Sequence, residues 1–428
     1  MELKKYNANH TQVLKINQIV RTISETHKFD KDKLIAINTS DVENGVMGNG
    51  TLTFVDELKG QFKKTIVKDD ILFSEIRPAN RRFAKVTTKN TKDYVVSTKL
   101  MVLRKYNEDV DLEYFYYCLT NQPFLDILQR RAENRIGSFP QITFDLLSEY
   151  AFPIPPISEQ KRISSVISTL DKKIALNRQI NQNLEAMAKQ LYDYWFVQFN
   201  FPNEEGKPYK SNGGKMVWNK RLKREIPASW EIKIVDDVVD VYNGATPSTA
   251  DELNYGGDIV WITPKDLSDQ KQKFIYQGER NISQVGYDSC STHLLPSNTV
   301  LMSSRAPIGL LAIAKNELCT NQGFKSFVPK SGSIAIYLYY YLQYHIKQIE
   351  QLGTGTTFKE VSREDILKFP ILKPSDNILD LWEERVSLLN DKQLEIQKEN
   401  ENLTKQRDEL LPLLMNGQVS VNSDLSLD

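Results

Sequence analysis

Apolar residues recur at heptad spacing along two stretches of the chain that lie 219 residues apart. In the first stretch, residues 163–195, two heptad rows are apolar at eight of their ten positions. Spacings that alternate between four and three residues over more than four heptads predict a long helix with a coiled-coil seam. The rows are Ile163, Leu170, Asn177, Leu184, Leu191 and Ile167, Ile174, Asn181, Ala188, Trp195.

The second stretch, residues 382–414, repeats this pattern in the same phase. One of its rows is apolar throughout, and Asn400 of the other row falls where the first stretch has Asn181. Each predicted helix would be about 50 Å long at about 1.5 Å per residue. The rows are Trp382, Leu389, Ile396, Leu403, Leu410 and Val386, Gln393, Asn400, Arg407, Leu414.

Each predicted long helix follows roughly 150 residues in which strand-like runs end in a shorter helical segment. A proline-rich hinge then leads into the long helix, with "FPIPPISEQKRI" at 152–163 and "FPILKPSDNILDLW" at 369–382. Prolines before a helix fix φ and prevent an earlier helical start. A polar Gly/Pro/Asn-rich linker at 200–215 separates the halves. The sequence therefore predicts an internally duplicated α+β protein.

The heptad seams need partners, and the nearest partner for each predicted helix is the other one. We therefore expect two similar β-rich domains separated by two long antiparallel helices that form a coiled coil, in a pseudo-two-fold molecule. The alternative is that each seam packs on its own globular domain. The predicted boundaries are 1–152 and 222–375 for the β-rich domains, 153–198 and 376–418 for the long helices, 199–221 for the linker and 419–428 for a tail.

Charge is balanced over the whole chain but not along it. The 55 Lys+Arg residues match 55 Asp+Glu residues, yet residues 59–105 carry 13 basic against 4 acidic residues, and residues 376–428 carry 5 against 12. An anionic polymer meets local charge, so the basic region favours nucleic-acid binding. Two solvated faces of opposite sign are the alternative.

The sequence lacks the motifs of several catalytic and cofactor-binding classes. It contains no GxxxxGK[ST] phosphate loop, no GxGxxG and no HExxH, and its three cysteines form no CxxC pair. We expect buried reduced thiols, no metal and no cofactor on this chain. The first ten residues, "MELKKYNANH", lack the apolar core of a signal peptide, and no apolar run is long enough to span a membrane, which predicts a cytoplasmic protein.

Binding chemistry is concentrated on predicted loops of both β-rich domains. Arg, Lys, Asn, Ser and Thr side chains on loops are the groups that clamp phosphates and read base edges. Each such residue alone is more often a solvated surface group, and Arg305 with the Arg81–Arg82 pair are the strongest candidates. The predicted DNA-binding residues are Lys63, Lys64, Arg77, Arg81, Arg82, Lys85, Asn243, Thr246, Thr263, Lys265, Ser303, Ser304, Arg305, Thr356, Thr357 and Lys359.

The first hinge with its heptad helix, together with the half-length duplication, resembles the specificity subunit of type I restriction–modification systems. "GGDIVWITPKDL" (256–267), "VLMSSRAPIG" (300–309) and "LLPLLMNGQV" (410–419) add to the resemblance. It covers nearly the whole chain and is weakest over the first 50 residues. The second hinge departs from the pattern because it lacks the Glu-Gln of the first.

The resemblance implies a protein without catalysis of its own. Two target-recognition domains would each read one half of a bipartite, asymmetric site in double-stranded DNA, and the long helices would hold the domains apart. Modification subunits would bring S-adenosylmethionine and methylate adenine N6, and an ATP-driven restriction subunit would join them. The cofactors would therefore sit on partner subunits, and no membrane would be involved.

Two other functions remain compatible with the residues. A coiled-coil adaptor would join other proteins without reading DNA, and replacing the candidate arginines would then leave DNA affinity and its salt dependence unchanged. A nuclease with an unrecognised site would cleave DNA by itself in the presence of a metal ion.

Overall fold

The computed structural model describes residues 11–58, 60–134, 141–330, 333–355, 359–415, 418–419 and 421. The chain forms two compact units. Unit 1 comprises residues 1–176 and 400–428, and unit 2 comprises residues 177–399.

Unit 1 contains short strands, three short helices and the first part of a long helix. Its strands are β1 (Gln12–Lys15), β2 (Val20–Thr22), β3 (Lys33–Ile37), β4 (Val42–Glu43), β5 (Val46–Met47), β6 (Thr51–Phe54), β7 (Phe62–Lys64), β8 (Ile71–Ser74), β9 (Phe83–Lys85), β10 (Tyr94–Ser97), β11 (Leu100–Lys105) and β12 (Ala151–Ile154). Its helices are α1 (Leu112–Thr120), α2 (Gln122–Glu133), α3 (Phe144–Ser148) and α4 (Ile157–Tyr192), and α4 continues into unit 2.

The described strands of unit 1 form two four-stranded sheets, the short pair β4–β5 and a terminal pair. One sheet is antiparallel, with the order β2-β11-β8-β9. The other has the order β6-β3-β10-β7, and β3 runs parallel to β10. Strand β1 pairs with β12, which sets Gln12 opposite Ile154 and closes the domain between its first and last strands.

Unit 2 begins within α4, which ends in a π-helical turn at Asp193–Val197. Its strands are β13 (Met216–Asn219), β14 (Arg224–Pro227), β15 (Glu231–Ile234), β16 (Val239–Asn243), β17 (Tyr255–Ile262), β18 (Phe274–Ile275), β19 (Arg280–Ile282), β20 (Val300–Ser304), β21 (Ile308–Ala314), β22 (Cys319–Thr320), β23 (Phe324–Pro329) and β24 (Pro370–Lys373). Its helices are α5 (Val235–Val238), α6 (Pro264–Gln270), α7 (Gln284–Asp288), α8 (Ala335–Tyr344), α9 (Ile346–Leu352), α10 (Arg363–Leu367) and α11 (Asp376–Met415).

The sheets of unit 2 repeat those of unit 1. The order β16-β23-β20-β21-β18 extends the pattern β2-β11-β8-β9 by one strand, and β17 runs parallel to β22 as β3 does to β10. Strand β15 pairs with β24, so Glu231 lies opposite Lys373. These two residues are each 219 positions beyond Gln12 and Ile154, the corresponding pair of unit 1. The duplication inferred from the heptad seams therefore extends to sheet topology.

In unit 1 the two long helices meet in antiparallel order. Ile163 and Ile167 near the start of α4 share a buried cluster with Leu411 and Leu414 near the end of α11. Further along, the Arg407 guanidinium donates to Asp171 at 3.0 Å, and the Tyr117 hydroxyl donates to the other oxygen of that carboxylate at 2.8 Å.

In unit 2 the helix segments also run antiparallel, but polar side chains make most of the connections. The Asn177 amide donates to Glu399 at 2.7 Å, and the Asn181 amide donates to the backbone carbonyl of Gln393 at 3.2 Å. The Gln393 amide in turn donates to Glu185 at 3.2 Å. Polar residues in the seam thus fix its register by specific hydrogen bonds.

A buried lysine joins these helix segments to the rest of unit 2. The Lys273 ammonium donates to Glu185 at 3.2 Å, to the Tyr340 hydroxyl at 2.7 Å and to Asn390 Oδ1 at 2.7 Å. Burial lowers the pKa of Lys273 to about 8, although the nearby Glu185 carboxylate opposes the shift. One side chain therefore links α4, α8 and α11.

All twenty predicted seam positions are buried or half-buried. The heptad pattern therefore marks the residues at which the two helices are packed, as predicted. The alternative to helix pairing also holds in part, because seam residues join the domain cores. Trp195 and Trp382 lie in one core with Val241 of β16 and Tyr337 of α8. Each seam therefore packs against the other long helix and against a β-rich domain.

The two hinges are held differently. Gln160, fully buried, donates to the carbonyls of Asp109 and Pro155 at 2.9 and 2.8 Å and accepts from the Asp111 amide at 2.7 Å. The corresponding position in the second hinge, 219 residues later, is the buried apolar residue Leu379. The difference in the hinge sequences is thus a difference between hydrogen bonding and apolar packing.

Two simpler predictions concern cysteines and membrane spans. All three cysteines are free thiols; Cys118 and Cys319 are buried and Cys290 is half-buried. Among the described residues, no helix is both long enough and apolar enough to cross a bilayer.

Candidate nucleic-acid interface

Three of the predicted binding loops of unit 2 contact one turn that the sequence analysis did not single out, Asn321–Gly323, and a fourth contacts Ser304 beside it. The Asn321 amide donates to the carbonyl of Ile262 at 3.0 Å, and the Thr246 hydroxyl donates to Gln322. The carbonyl of Gly323 accepts from the Ser304 amide at 2.7 Å. The fourth loop joins through Val361, whose amide donates to the carbonyl of Ser304 at 3.1 Å.

Close backbone approach explains a glycine in this cluster. A Cβ at Gly244 would lie 2.1 Å from the carbonyl oxygen of Asn321 and 2.2 Å from that of Thr320. Only glycine leaves room for the 243–246 loop to contact the turn, and the Ala245 amide then donates to Thr320 at 3.0 Å.

The predicted hydroxyl residues of unit 2 mainly hold the loops in place. Thr263 caps α6, with its amide and its hydroxyl both donating to Asp266 at 2.7 Å. Ser303 and Ser304 are fully buried. The Ser303 hydroxyl donates to the carbonyl of Pro307 at 2.7 Å and accepts from the Leu310 amide at 2.8 Å, which ties the two sides of the β20–β21 turn together.

The predicted binding residues that reach solvent around the cluster are mostly cations. Asn243 ends β16 and is exposed, as is Lys359. Lys265 is exposed but paired with Glu279 at 2.6 Å. Arg305, in the β20–β21 turn, is 37% exposed and lies 3.8 Å from Glu360. Thr356 and Thr357 lie outside the described residues.

A buried lysine below Arg305 escaped the sequence analysis. Lys325 on β23 is 5% exposed, and its ammonium lies 3.3 Å from Glu360 and 3.4 Å from the Ser304 hydroxyl. The signal was a charged residue at the second position of the apolar run "FKSFVP", where a buried strand has no use for charge unless it is paired.

In unit 1, four of the six predicted cations are tied into the domain, and Lys64 and Lys85 are two of them. Lys64 donates to the carbonyls of Thr98 and Leu100 at 3.0 and 2.7 Å, and burial lowers its pKa. Lys85 forms an ion pair with Glu113 of α1, and burial likewise lowers its pKa. Both side chains therefore hold strands in place.

The arginine pair that the sequence favoured is tied in as well. Arg81 donates to Asn44 at 2.7 Å and to Gln122 on α2, and burial lowers its pKa. Arg82 donates to the carbonyls of Ser40 and Val42 at 3.2 and 3.4 Å. These bonds anchor the β8–β9 connection on both of its sides.

Lys63 and Arg77 are the two exposed cations among the six candidates of unit 1. Lys63 lies on β7, and its neighbour Lys64 points into the domain. Arg77 begins the turn after β8 in a left-handed backbone conformation (φ 46°), followed by the 3-10 turn Pro78–Asn80. Of the six candidates, these two present a cation to solvent.

Metal-ligating side chains are not clustered in the described part of the chain. Its His, Cys, Asp and Glu side chains form no group of three or more that could hold a metal ion.

Comparison with known proteins identifies both halves of the chain. A family model of the type I restriction modification DNA specificity domain matches residues 10–186 and 227–408. The first match spans β1–β12 and most of α4, and the second spans β15–β24 and most of α11. The family domain therefore occurs twice, once in each repeat.

Relatives match over the full length or over one half. The specificity subunit of the type I restriction enzyme HindI from Haemophilus influenzae is 31% identical, over 94% of this chain and 98% of its own. The specificity subunit of the type I restriction enzyme MjaIX from Methanocaldococcus jannaschii is 40% identical over 167 residues, 38% of this chain and 39% of its own.

Solved structures include the same fold. The crystal structure of the S subunit of a type I restriction–modification system from M. genitalium aligns with a TM-score of 0.54 at 16% identity, over 96% of this chain and 98% of that chain. The resemblance inferred from the hinge and the loop motifs is thereby confirmed. This chain, with the specificity domain in each of its two halves, belongs to the family of type I restriction–modification specificity subunits.

Proposed function

We propose that this chain reads a bipartite site in double-stranded DNA, one half-site with each β-rich domain, and directs a methyltransferase to it. The observation that carries the proposal is the repeated sheet topology, matched twice by a DNA specificity domain, with an exposed cation at the turn after β8 and a partly exposed one at the turn after β20. Duplicated readers suit a site of two different halves. The domain boundaries predicted from the sequence are part of this proposal.

The contacting groups are the exposed ones. Lys63, Arg77 and Lys359 would neutralise phosphates, while Asn243 and Arg305 have the donors that read base edges or clamp the backbone. The candidates that hydrogen bonds tie into their own domain, among them Lys64, Thr263 and Ser304, would act indirectly by fixing the loops that carry these groups.

The long helices would serve as a spacer between the two readers. Their predicted length of about 50 Å exceeds one duplex turn of about 34–36 Å, so a site read at both ends would be split by unspecified bases. Deleting one heptad from each of α4 and α11 should change the spacer or abolish activity, and it should leave both half-sites unchanged. Full activity on the original site would contradict the spacer role.

Chemistry belongs to partner subunits in this proposal. Modification subunits would carry S-adenosylmethionine and methylate adenine N6, and a restriction subunit would use ATP, while this chain supplies sequence selection without catalysis.

The test is a map of N6-methyladenine in a bacterial genome that expresses this chain with its modification subunit. The expected result is one split motif, with two short specified halves around a fixed gap, that disappears when this chain is omitted. Methylation without a motif, or none that depends on this chain, would contradict the proposal. An adaptor would instead leave DNA affinity and its salt slope unchanged after Lys63, Arg77 and Arg305 are replaced.

A further inference from the structure

Arg305 is held only loosely by its own domain. It occupies the β20–β21 turn, and its Nη1 lies 3.8 Å from Glu360 Oε2, which is beyond hydrogen-bond distance. With 37% of its side chain exposed, the guanidinium faces solvent on one side and a single carboxylate on the other. How strongly that carboxylate holds Arg305 therefore decides whether the guanidinium is available to a ligand.

The other oxygen of Glu360 is engaged from within the domain. Oε1 lies 3.3 Å from the Lys325 ammonium and 3.3 Å from the Ser304 hydroxyl, and Lys325 also donates to Ser304 at 3.4 Å. Lys325 is 5% exposed, so its ammonium has given up most of its water. A buried cation keeps its counter-ion tightly, because losing it would leave an uncompensated charge.

The backbone keeps Glu360 within reach of both cations. Its amide and carbonyl bond to Thr354 at 3.0 Å in each direction, and it also forms a bridge with Arg305. The carboxylate is therefore not free to leave, and the two cations share it at fixed positions.

We propose that Lys325 is a positioning residue for DNA recognition, which engages Glu360 from the interior so that Arg305 stays available to a phosphate or a base edge. This inference rests on the proposed function. Two cations around one carboxylate leave a net positive charge at the turn, and the buried cation cannot move out to the ligand. Without Lys325, Glu360 would be the sole partner of Arg305 and would compete with DNA for it.

Unit 1 supports this assignment by what it lacks. The register of β11 against β8 places the buried Met101 where β23 carries Lys325. Position 141, which bridges Ile76 as Glu360 bridges Arg305, is a neutral glutamine. The repeat thus has lysine, glutamate and arginine together in unit 2 and methionine, glutamine and isoleucine in unit 1. The buried, ion-paired lysine is therefore found in the unit where an arginine faces a glutamate, and it is absent from the unit that has neither residue at these positions.

The test compares DNA affinity among variants of the chain bound to its modification subunit. The probe is an unmethylated duplex that carries the motif found by the methylation map, and its dissociation constant is measured at several salt concentrations. Lys325→Met, the residue that unit 1 has there, should weaken binding about tenfold, whereas Lys325→Arg should stay within about threefold of wild type. Glu360→Gln should restore the affinity of Lys325→Met, although it changes the wild type little.

The link to Arg305 is tested separately. If Lys325 acts through Arg305, then adding Lys325→Met to Arg305→Ala should cause no further loss. Loss of affinity that Glu360→Gln does not rescue, or equal losses in the presence and absence of Arg305, would overturn the inference. So would unchanged affinity of Lys325→Met.

Variants that merely unfold are recognised by a lowered Tm, and Glu360→Gln then decides the question alone. A weakening of wild-type binding by more than about threefold would show that Glu360 assists rather than competes, and would overturn the inference. If the wild-type complex itself shows no preference for the motif, the proposed function fails, which is distinct from failure of this inference alone.

Discussion

The same backbone contacts hold the turn after β8 in unit 1 and the turn after β20 in unit 2. In unit 1 the Glu75 amide donates to the carbonyl of Lys99 at 3.1 Å, and the Glu75 carbonyl accepts from Ile142 at 2.7 Å. In unit 2 Ser304 occupies the place of Glu75. Its amide donates a hydrogen bond to the carbonyl of Gly323 at 2.7 Å, and its carbonyl accepts one from the Val361 amide at 3.1 Å. Main-chain hydrogen bonding has been kept through the duplication.

The side chains at these two turns differ, although the backbone contacts are the same. In unit 1 the carboxylate is on the residue that follows β8: Glu75 accepts a hydrogen bond from the side-chain amide of Gln141 at 2.8 Å. In unit 2 the carboxylate is on the other segment, which bridges the turn: Glu360 accepts a hydrogen bond from the hydroxyl of Ser304 at 3.3 Å. A scaffold fixed by its backbone leaves the chemistry of the turn free to vary, as the proposed reading of two different half-sites would require.

The largest expected difference between the units concerns the helix seam. Trp382→Ala removes a fully buried ring that packs on Tyr192 and Trp195, at a cost of about 3–5 kcal/mol. Ile163→Val, at the corresponding position of unit 1, should cost about 0.5–1.5 kcal/mol. Hydrogen exchange resolved by peptide should show faster exchange within 177–399 for the first and within unit 1 for the second. Equal loss of protection in both units would show that the units unfold as one.

The next difference is the pH dependence that Lys273 gives to the helix contacts of unit 2. The pKa of Lys273 is about 8 in the folded chain, against 10.5 when unfolded, so above pH 8 the unfolded state binds the extra proton. The unfolding free energy should therefore rise by about 2 kcal/mol between pH 7 and 9.5 relative to Lys273→Met. In unit 1 the helices meet through Arg407 and Asp171, and this pair should contribute no such rise, because arginine stays charged.

Denaturant unfolding of wild type and Lys273→Met across this pH range measures the effect. Ionisation of tyrosines and cysteines affects both proteins alike, so their difference isolates Lys273. Lys265→Met, which removes an exposed lysine, is the matched control and should retain the wild-type slope. A slope that survives in Lys273→Met would assign the proton to another group.

The exposed arginines should separate the half-sites. Arg77→Ala and Arg305→Ala should each weaken binding by about 1–3 kcal/mol, or about 5–150-fold, and relax selectivity in one half of the motif only. Binding to duplexes altered in one half at a time measures this. Lys330→Ala, an exposed lysine at the other end of β23, should change affinity less than twofold. If both arginines affect the same half-site, the assignment of one half to each unit is wrong.

The smallest expected effect comes from two adjacent lysines of β7. Lys63→Ala should weaken binding to all duplexes alike and reduce the salt slope by about 1, because one exposed phosphate contact is lost. Lys64→Ala should keep that slope and instead lower stability by about 1 kcal/mol, since two carbonyls lose their donor. The reverse assignment would show that Lys64 turns outward on DNA.

Periodic features were predictable from the sequence because periodicity records burial. The heptad rows gave both long helices, and the repeat offset gave the duplication. The first helix is nevertheless shorter than the predicted range 153–198, because α4 begins at Ile157 and gives way to a π-helical turn after Tyr192.

The candidate site was predictable only in part, because a run of charges does not show which cations are tied down. Arg81 and Lys85 carry the same charge as Arg77, but Arg81 donates a hydrogen bond to Gln122 and Lys85 is paired with Glu113. Lys325 was missed because a single lysine in an apolar strand has no periodic signal. Its meaning depends on Glu360, 35 residues later, and that pairing exists only in the folded domain.

The end of α11 has a consequence for the order in which the protein matures. Leu411, Leu414 and Met415 complete the core of unit 1, most of which precedes residue 177, and the Cys118 thiol touches Met415 sulfur at 3.4 Å. At ~5–20 residues per second, the ribosome needs on the order of 10–45 s to reach residue 400 after finishing residue 176. The amino-terminal domain therefore waits, with an open apolar surface, for the last residues to be translated, and a nascent chain cut short before them cannot close it.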